Sequence, residues 1–174
     1  MKRATPSAVD TVAVLNRVRH MLDSAQIENA LEVLVASGQN CPAIANAKGV
    51  CLLRLGKPEE AAKIFCKLVF PHDDFTIPED VPTTFRINYA TAWFLTGDFV
   101  AGSDLLKQIS DHSHPAVQRL KTAVRQWKRS LPWWRRMLLP IGFYPDKPLR
   151  LDFLPGELWL PEGIEGPRPM ERAA

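Results

Sequence analysis

Residues 49–65, "GVCLLRLGKPEEAAKIF", decide how the rest of the chain is read. The stretch opens on Gly49, returns to glycine at Gly56, and sets Ala61 and Ala62 among charged residues. Glycine inside a helix costs about 1 kcal/mol relative to alanine. A helix that keeps one at position 49 therefore implies an approach too close for a side chain. Gly56 can take the left-handed conformation that ends a helix, and Pro58 suits the first turn of the next, where its missing N–H is not needed. Glu59 and Glu60 then face the positive end of that second helix. The stretch reads as helix, tight turn, helix, with the small residues as contact points.

The same periodicity runs outward from it. Val14, Leu15, Val18, Met21, Leu22, Ile27, Leu31, Leu34 and Val35 recur at helical steps, leaving one buried stripe. Breakers at "DSAQ", "SGQNCP", "LGKP", "PHDDFTIPEDVP", "TGD" and "SDHSHP" cut the first 130 residues into helices of roughly 12 to 16 residues. Seven helices in antiparallel pairs are expected. The last, in "HPAVQRLKTAVRQWKRSL", carries Val117, Leu120, Val124, Trp127 and Leu131 on one stripe and would cap the apolar end of the stack. Residues 71–82 form an exposed acidic linker, long for a helix-to-helix connection.

After Pro132 the chain turns rich in proline and aromatics: "LPWWRRMLLPIGFYPDKPLRLDFLPGELWLPEGIEGPRP". A short helix over 132–139 and an extended arm are expected, with a small hairpin around Pro155 and Gly156. Leu151, Phe153, Leu158 and Trp159 are too hydrophobic for a free tail. They dock on this chain's own helices, or on a partner or second copy, which would give a homodimer. The division expected is a helical domain over 1–131 and a short helix with its arm over 132–174.

Aligned on their turns, "VRHMLDSAQIENALEVL" (18–34), "GVCLLRLGKPEEAAKIF" (49–65) and "ATAWFLTGDFVAGSDLL" (90–106) share a helix, a tight turn and a small residue five positions later: Ala30, Ala61 and Gly102. Over residues 9–112 this pattern resembles the tetratricopeptide repeat. Gly49, Leu52, Gly56, Ala61 and Phe65 fill the family's places in the middle unit. Ala90, Trp93, Gly97, Asp98, Phe99, Gly102 and Leu106 do so in the third. The first unit departs, with Ala25 at the turn and Val18 at the small position, and the turns are spaced 31 and then 41 residues apart, against a family period of about 34. A generic helical bundle also uses small residues at crossings and stays open as the alternative.

The resemblance implies an all-α fold, a short solenoid of antiparallel helix pairs with a capping helix and an extended C-terminal arm. It implies packing at Gly49, Gly56, Ala61, Phe65, Ala90, Trp93, Gly97 and Gly102. Its groove-facing positions carry over to Leu15, Arg19, Asn46, Val50, Leu53, Arg54, Ile87, Thr91 and Phe94. The cluster with which some members clamp a terminal carboxylate is absent. The ligand expected is an extended or helical peptide with apolar anchors and an acidic group near Arg54. The function expected is a non-enzymatic adaptor that binds a protein or peptide; the alternative is a secretion-type chaperone shielding an aggregation-prone client.

Composition bounds the remaining readings. The chain has 174 residues, 46% of them hydrophobic, enough for one continuous core. Cys41, Cys51 and Cys66 leave one thiol unpaired under any intramolecular scheme and show no C-x-x-C spacing, which suits a reducing compartment. With no apolar run after the basic first residues, a cytoplasmic location is expected. Residues 112–145 hold seven of the 22 basic residues and none of the 19 acidic ones. Arg125, Lys128 and Arg129, followed by Trp133, Trp134, Arg135 and Arg136, could therefore meet nucleic acid or an anionic membrane surface. A solvated basic face with a buried tryptophan ranks above both. "HDD" at 72–74 and "HSH" at 112–114 lie in loops with no matching ligand pair, so no metal, cofactor or catalytic residue is assigned.

Overall fold

The structure, a computed structural model, describes residues 8–71, 76–139 and 149–160. His72, Asp73 and Asp74 lie outside them. The described residues form eight helices and no strand: α1 (Ala8–Asp23), α2 (Ile27–Ala36), α3 (Pro42–Arg54), α4 (Pro58–Val69), α5 (Thr83–Thr96), α6 (Phe99–Lys107), α7 (Pro115–Ser130) and α8 (Trp133–Leu138). The fold is all-α, with helices packed in sequential pairs.

Three turns repeat one local structure. Ala25, Gly56 and Gly97 all have positive φ, at 56°, 71° and 93°. Their N–H groups donate to the carbonyls of Leu22, Leu53 and Phe94 respectively. In the first two turns the next N–H, of Gln26 or Lys57, reaches back to Met21 or Leu52, which satisfies carbonyls that the helix end leaves open. The first unit thus makes its turn with alanine in a conformation that favours glycine. At the third turn Asp98 caps α6, its carboxylate accepting from the Ala101 N–H at 2.9 Å.

Equal turns put equal positions into the hairpin interiors. Val18, Gly49 and Ala90 are seven residues before the turn, and Leu34, Phe65 and Leu106 nine after it; all are buried. In the middle unit the fit is close: a Cβ on Gly49 would sit 2.5 Å from Phe65 Cζ, and the Phe65 ring is wholly buried. In the third unit the glycine has moved to the second helix. A Cβ on Gly102 would sit 2.9 Å from Phe94 Cδ1.

That contact corrects one expectation. Phe94, expected to face the groove, packs inside the α5/α6 hairpin against Gly102, with its ring 5.4 Å from that of Phe99. Trp93 is half-buried against the core, 6.0 Å from the Tyr89 ring. The expected lengths are also too long for α2 and α6, of 10 and 9 residues. Ser37 helps to end α2, its hydroxyl donating to the Leu34 carbonyl at 2.8 Å, just before Gly38 at φ 62°.

Beyond the hairpins, α1 touches α3, α3 touches α5 and α5 touches α7, so the odd-numbered helices line one side. α7 buries Ala116, Val117, Leu120, Ala123 and Val124, and stacks Trp127 on Phe99 at 3.6 Å. In the acidic linker, Arg86 holds the end nearest α5 by donating to the Pro78 and Glu79 carbonyls.

Gly49→Ala tests the packing directly. On an open helix this change would stabilise; here it should lower stability by about 1–3 kcal/mol, read as a lower urea midpoint. Adding Phe65→Leu should cost less than the two single changes summed. A raised midpoint for Gly49→Ala would contradict the contact.

Candidate functional site

Residues 149–160 of the same chain pack across α3 and α5 and reach α7. The centre of this contact is a pair of asparagines, one per helix. Asn46 on α3 and Asn88 on α5 are fully buried. The Asn88 amide closes a ring on the main chain of one arm residue: its Oδ1 accepts from the Glu157 N–H at 2.9 Å, and its Nδ2 donates to the Glu157 carbonyl at 2.8 Å. Asn46 Nδ2 donates to the same carbonyl at 3.1 Å, while its Oδ1 accepts from Asn88 Nδ2 at 2.8 Å. Left without these partners, the buried amides would cost several kcal/mol. They recognise main chain, independently of the side chain at that position.

Arg54, half-buried at the end of α3, extends the main-chain contacts. Its Nε donates to the Pro155 carbonyl at 3.3 Å and its Nη2 to that of Gly156 at 3.4 Å. Burial lowers its pKa, opposed by the neighbouring Cys51 and Asp23. Gly156 has φ 83°, and a Cβ there would lie 3.1 to 3.2 Å from Val50 and Leu53. The arm therefore comes down on α3 where a side chain would be crowded. The expected hairpin at Pro155 and Gly156 does not form: the segment is extended, and its polar groups go to helices instead of a second strand.

Apolar anchors flank this centre. Trp159 meets Phe85 edge to face at 5.2 Å, and Leu149, buried, donates its N–H to the Phe94 carbonyl at 2.9 Å. Phe153 lies under the Arg119 guanidinium at 5.8 Å. Arg119 also pairs with the Glu157 carboxylate at 2.9 Å. Both members of that pair keep a third or more of their side chains in water, so it is worth at most about 1 kcal/mol.

Of the expected groove residues, Asn46, Val50, Leu53 and Arg54 touch the arm. Arg19, Ile87 and Thr91 line a cleft of about 630 Å³ beside it. The Thr91 hydroxyl donates to the Ile87 carbonyl on its own helix. Leu15 is core, and Phe94 contributes its carbonyl alone. The acidic group sits on Arg119 rather than on Arg54. Asn88, Phe85 and Arg119 were missed. Asn88 had a signal: an amide within the apolar face of a first helix, at nearly the distance from its turn that Asn46 keeps from its own.

The remaining polar candidates have structural partners. His114 caps α7, its Nδ1 accepting from the Ala116 N–H at 3.3 Å, and His112 Nδ1 lies 3.0 Å from Lys121 Nζ. Hydrogen bonds from Ser113 hold the Asp111 carboxyl below its ordinary pKa. Burial pushes the Cys51 thiol up to about 11 and the Tyr89 hydroxyl to about 12, so both are neutral at neutral pH. Among the described residues no group of three metal-ligating side chains comes together, and no helix is long and apolar enough to cross a membrane.

Comparison with models of protein families, with curated proteins and with solved structures finds no match for this chain.

Removing the clamp should release the arm before it unfolds the stack. Asn88→Ala is expected to cost about 1–3 kcal/mol and to speed amide exchange at Glu157 well above that of the α3 and α4 core. Asn46→Ala and Asn88→Ala should be non-additive, since they share one carbonyl. Unchanged exchange at Glu157 would contradict the clamp.

Proposed function

We propose that this chain is a non-enzymatic protein-interaction scaffold of the tetratricopeptide type, whose concave groove holds an extended segment by its main chain. The observation that carries the reading is the two-way hydrogen bonding between Asn88 and the main chain of one arm residue, Glu157. Paired amides on α3 and α5 fit a segment in extended conformation, and the neighbouring apolar contacts set which segments fit. The common turn geometry at Ala25, Gly56 and Gly97 supports the repeat assignment.

In this reading the arm is the resident occupant. A partner enters by presenting the same features: a glycine over Val50 and Leu53, an acidic side chain opposite Arg119 next to it, and an aromatic two residues further on for Phe85. The arm in place lowers the apparent affinity by the fraction of molecules whose groove is open. Adaptor binding is then gated by arm release.

A labelled peptide of residues 149–160 tests this by fluorescence polarisation against the full chain. Gly156→Val with Trp159→Ala weakens the resident arm and leaves the groove intact; peptide affinity should rise by at least about tenfold. Adding Asn46→Ala and Asn88→Ala should abolish the gain. A peptide that binds neither chain would refute the groove as a segment-binding site.

A further inference from the structure

On a face separate from the groove, we propose that α8, the last turns of α7 and Arg150 form a docking surface for an anionic lipid bilayer. α8 buries none of its residues. Trp133, Trp134 and Met137 are 70%, 48% and 69% exposed. At 100° per residue these three fall on one side of the helix, a cluster of large apolar groups facing water on a six-residue helix. Single exposed apolar residues are ordinary; two tryptophans and a methionine side by side are not.

The surroundings supply the charge. Arg125, Arg129 and Arg136 are exposed, Lys128 and Arg135 half-buried, and none of them is in an ion pair among the described residues. Arg150 and Arg135 line one open cleft of about 840 Å³ together with Gln126, Trp127, Ser130 and Trp134. Among the described residues that lining contains no carboxylate. The acidic side chain closest in the arm sequence, Asp152, lines a different cleft with Gln118 and Thr122.

A bilayer surface matches both halves of this arrangement. Indole rings and a thioether partition into the headgroup and upper acyl region, and guanidinium groups around them pair with lipid phosphates. Single-stranded nucleic acid would use the indole faces as stacking platforms, but the Arg135 guanidinium already lies over the Trp134 ring at 5.0 Å. Met137, the most exposed apolar side chain besides Trp133, offers bases no ring to stack on. A hydrocarbon interface uses all three side chains.

The test is co-sedimentation of the full chain with phosphatidylcholine vesicles, with and without phosphatidylglycerol at about 30%, in about 0.1 M salt. The chain should bind the anionic vesicles at least about tenfold more tightly than the neutral ones. Trp133→Ser, Trp134→Ser and Met137→Ser together should reduce binding to anionic vesicles about tenfold or more with the helical circular dichroism unchanged. Arg125→Gln, Arg129→Gln, Arg136→Gln and Arg150→Gln should remove the preference for anionic lipid. Three results would overturn the proposal: no binding to anionic vesicles, equal binding by the triple serine variant, or retention on single-stranded DNA or self-association that the serine changes abolish while vesicle binding is absent.

Discussion

Two buried amides, on the contacting helices α3 and α5, constrain everything on the side that holds the arm. Asn46 and Asn88 sit in an apolar lining with Ile87, Val50 and Leu53, and one partner for each, the other asparagine, satisfies only part of their hydrogen-bonding capacity. The remainder needs an N–H donor and a carbonyl acceptor delivered together, at one point. One residue of extended backbone, whose own N–H and carbonyl point to the same side, supplies both. This requirement explains why the chain crosses the helices as an arm instead of closing on itself as a hairpin. It also explains why the contact rests on main chain at Glu157, whose carboxylate makes only a partly exposed ion pair.

The amides can face one another because the hairpins that carry them are built alike. Each first helix is followed by a turn residue of positive φ, and the second and third hairpins each close on a glycine met by a phenylalanine. Gly49 under Phe65 and Gly102 under Phe94 are the same solution with glycine on opposite helices. With rings so tightly seated, α3 and α5 hold a fixed register, and the asparagines fall within 2.8 Å. Packing inside the hairpins thus positions the polar groups of the groove between them.

Helices, turns and the hairpin pairing were legible because each rests on local chemistry: apolar periodicity, Gly56 and Gly97 at turns, Pro58 at a helix start, small residues at crossings. Asn46, Val50, Leu53 and Arg54, expected on the open side of α3, meet the chain's own arm there, in the unit that follows the repeat pattern most closely. Phe94 was misplaced because Gly102 moved the glycine to the second helix, and the ring that covers a glycine must come from the opposite one. The hairpin at Pro155 and Gly156 was misread because a Pro-Gly pair marks a turn only when the flanking segments have each other as partners. Here helices from residues 46 to 119 compete for those hydrogen bonds and win, a long-range outcome that no local signal carries. Arg119 was read as part of a basic helix face; its role depends on Glu157, 38 residues away.

Nuclear Overhauser contacts in the isotope-labelled full chain at low concentration test the central claim most directly. If the arm lies in the groove of its own chain, the Gly156 Hα will show contacts to the Val50 and Leu53 methyls, and the Glu157 amide to the Asn88 side-chain amide. These contacts should keep their intensity on dilution and be absent between differently labelled copies. Random-coil shifts across residues 149–160, or contacts that appear only between copies, would contradict it.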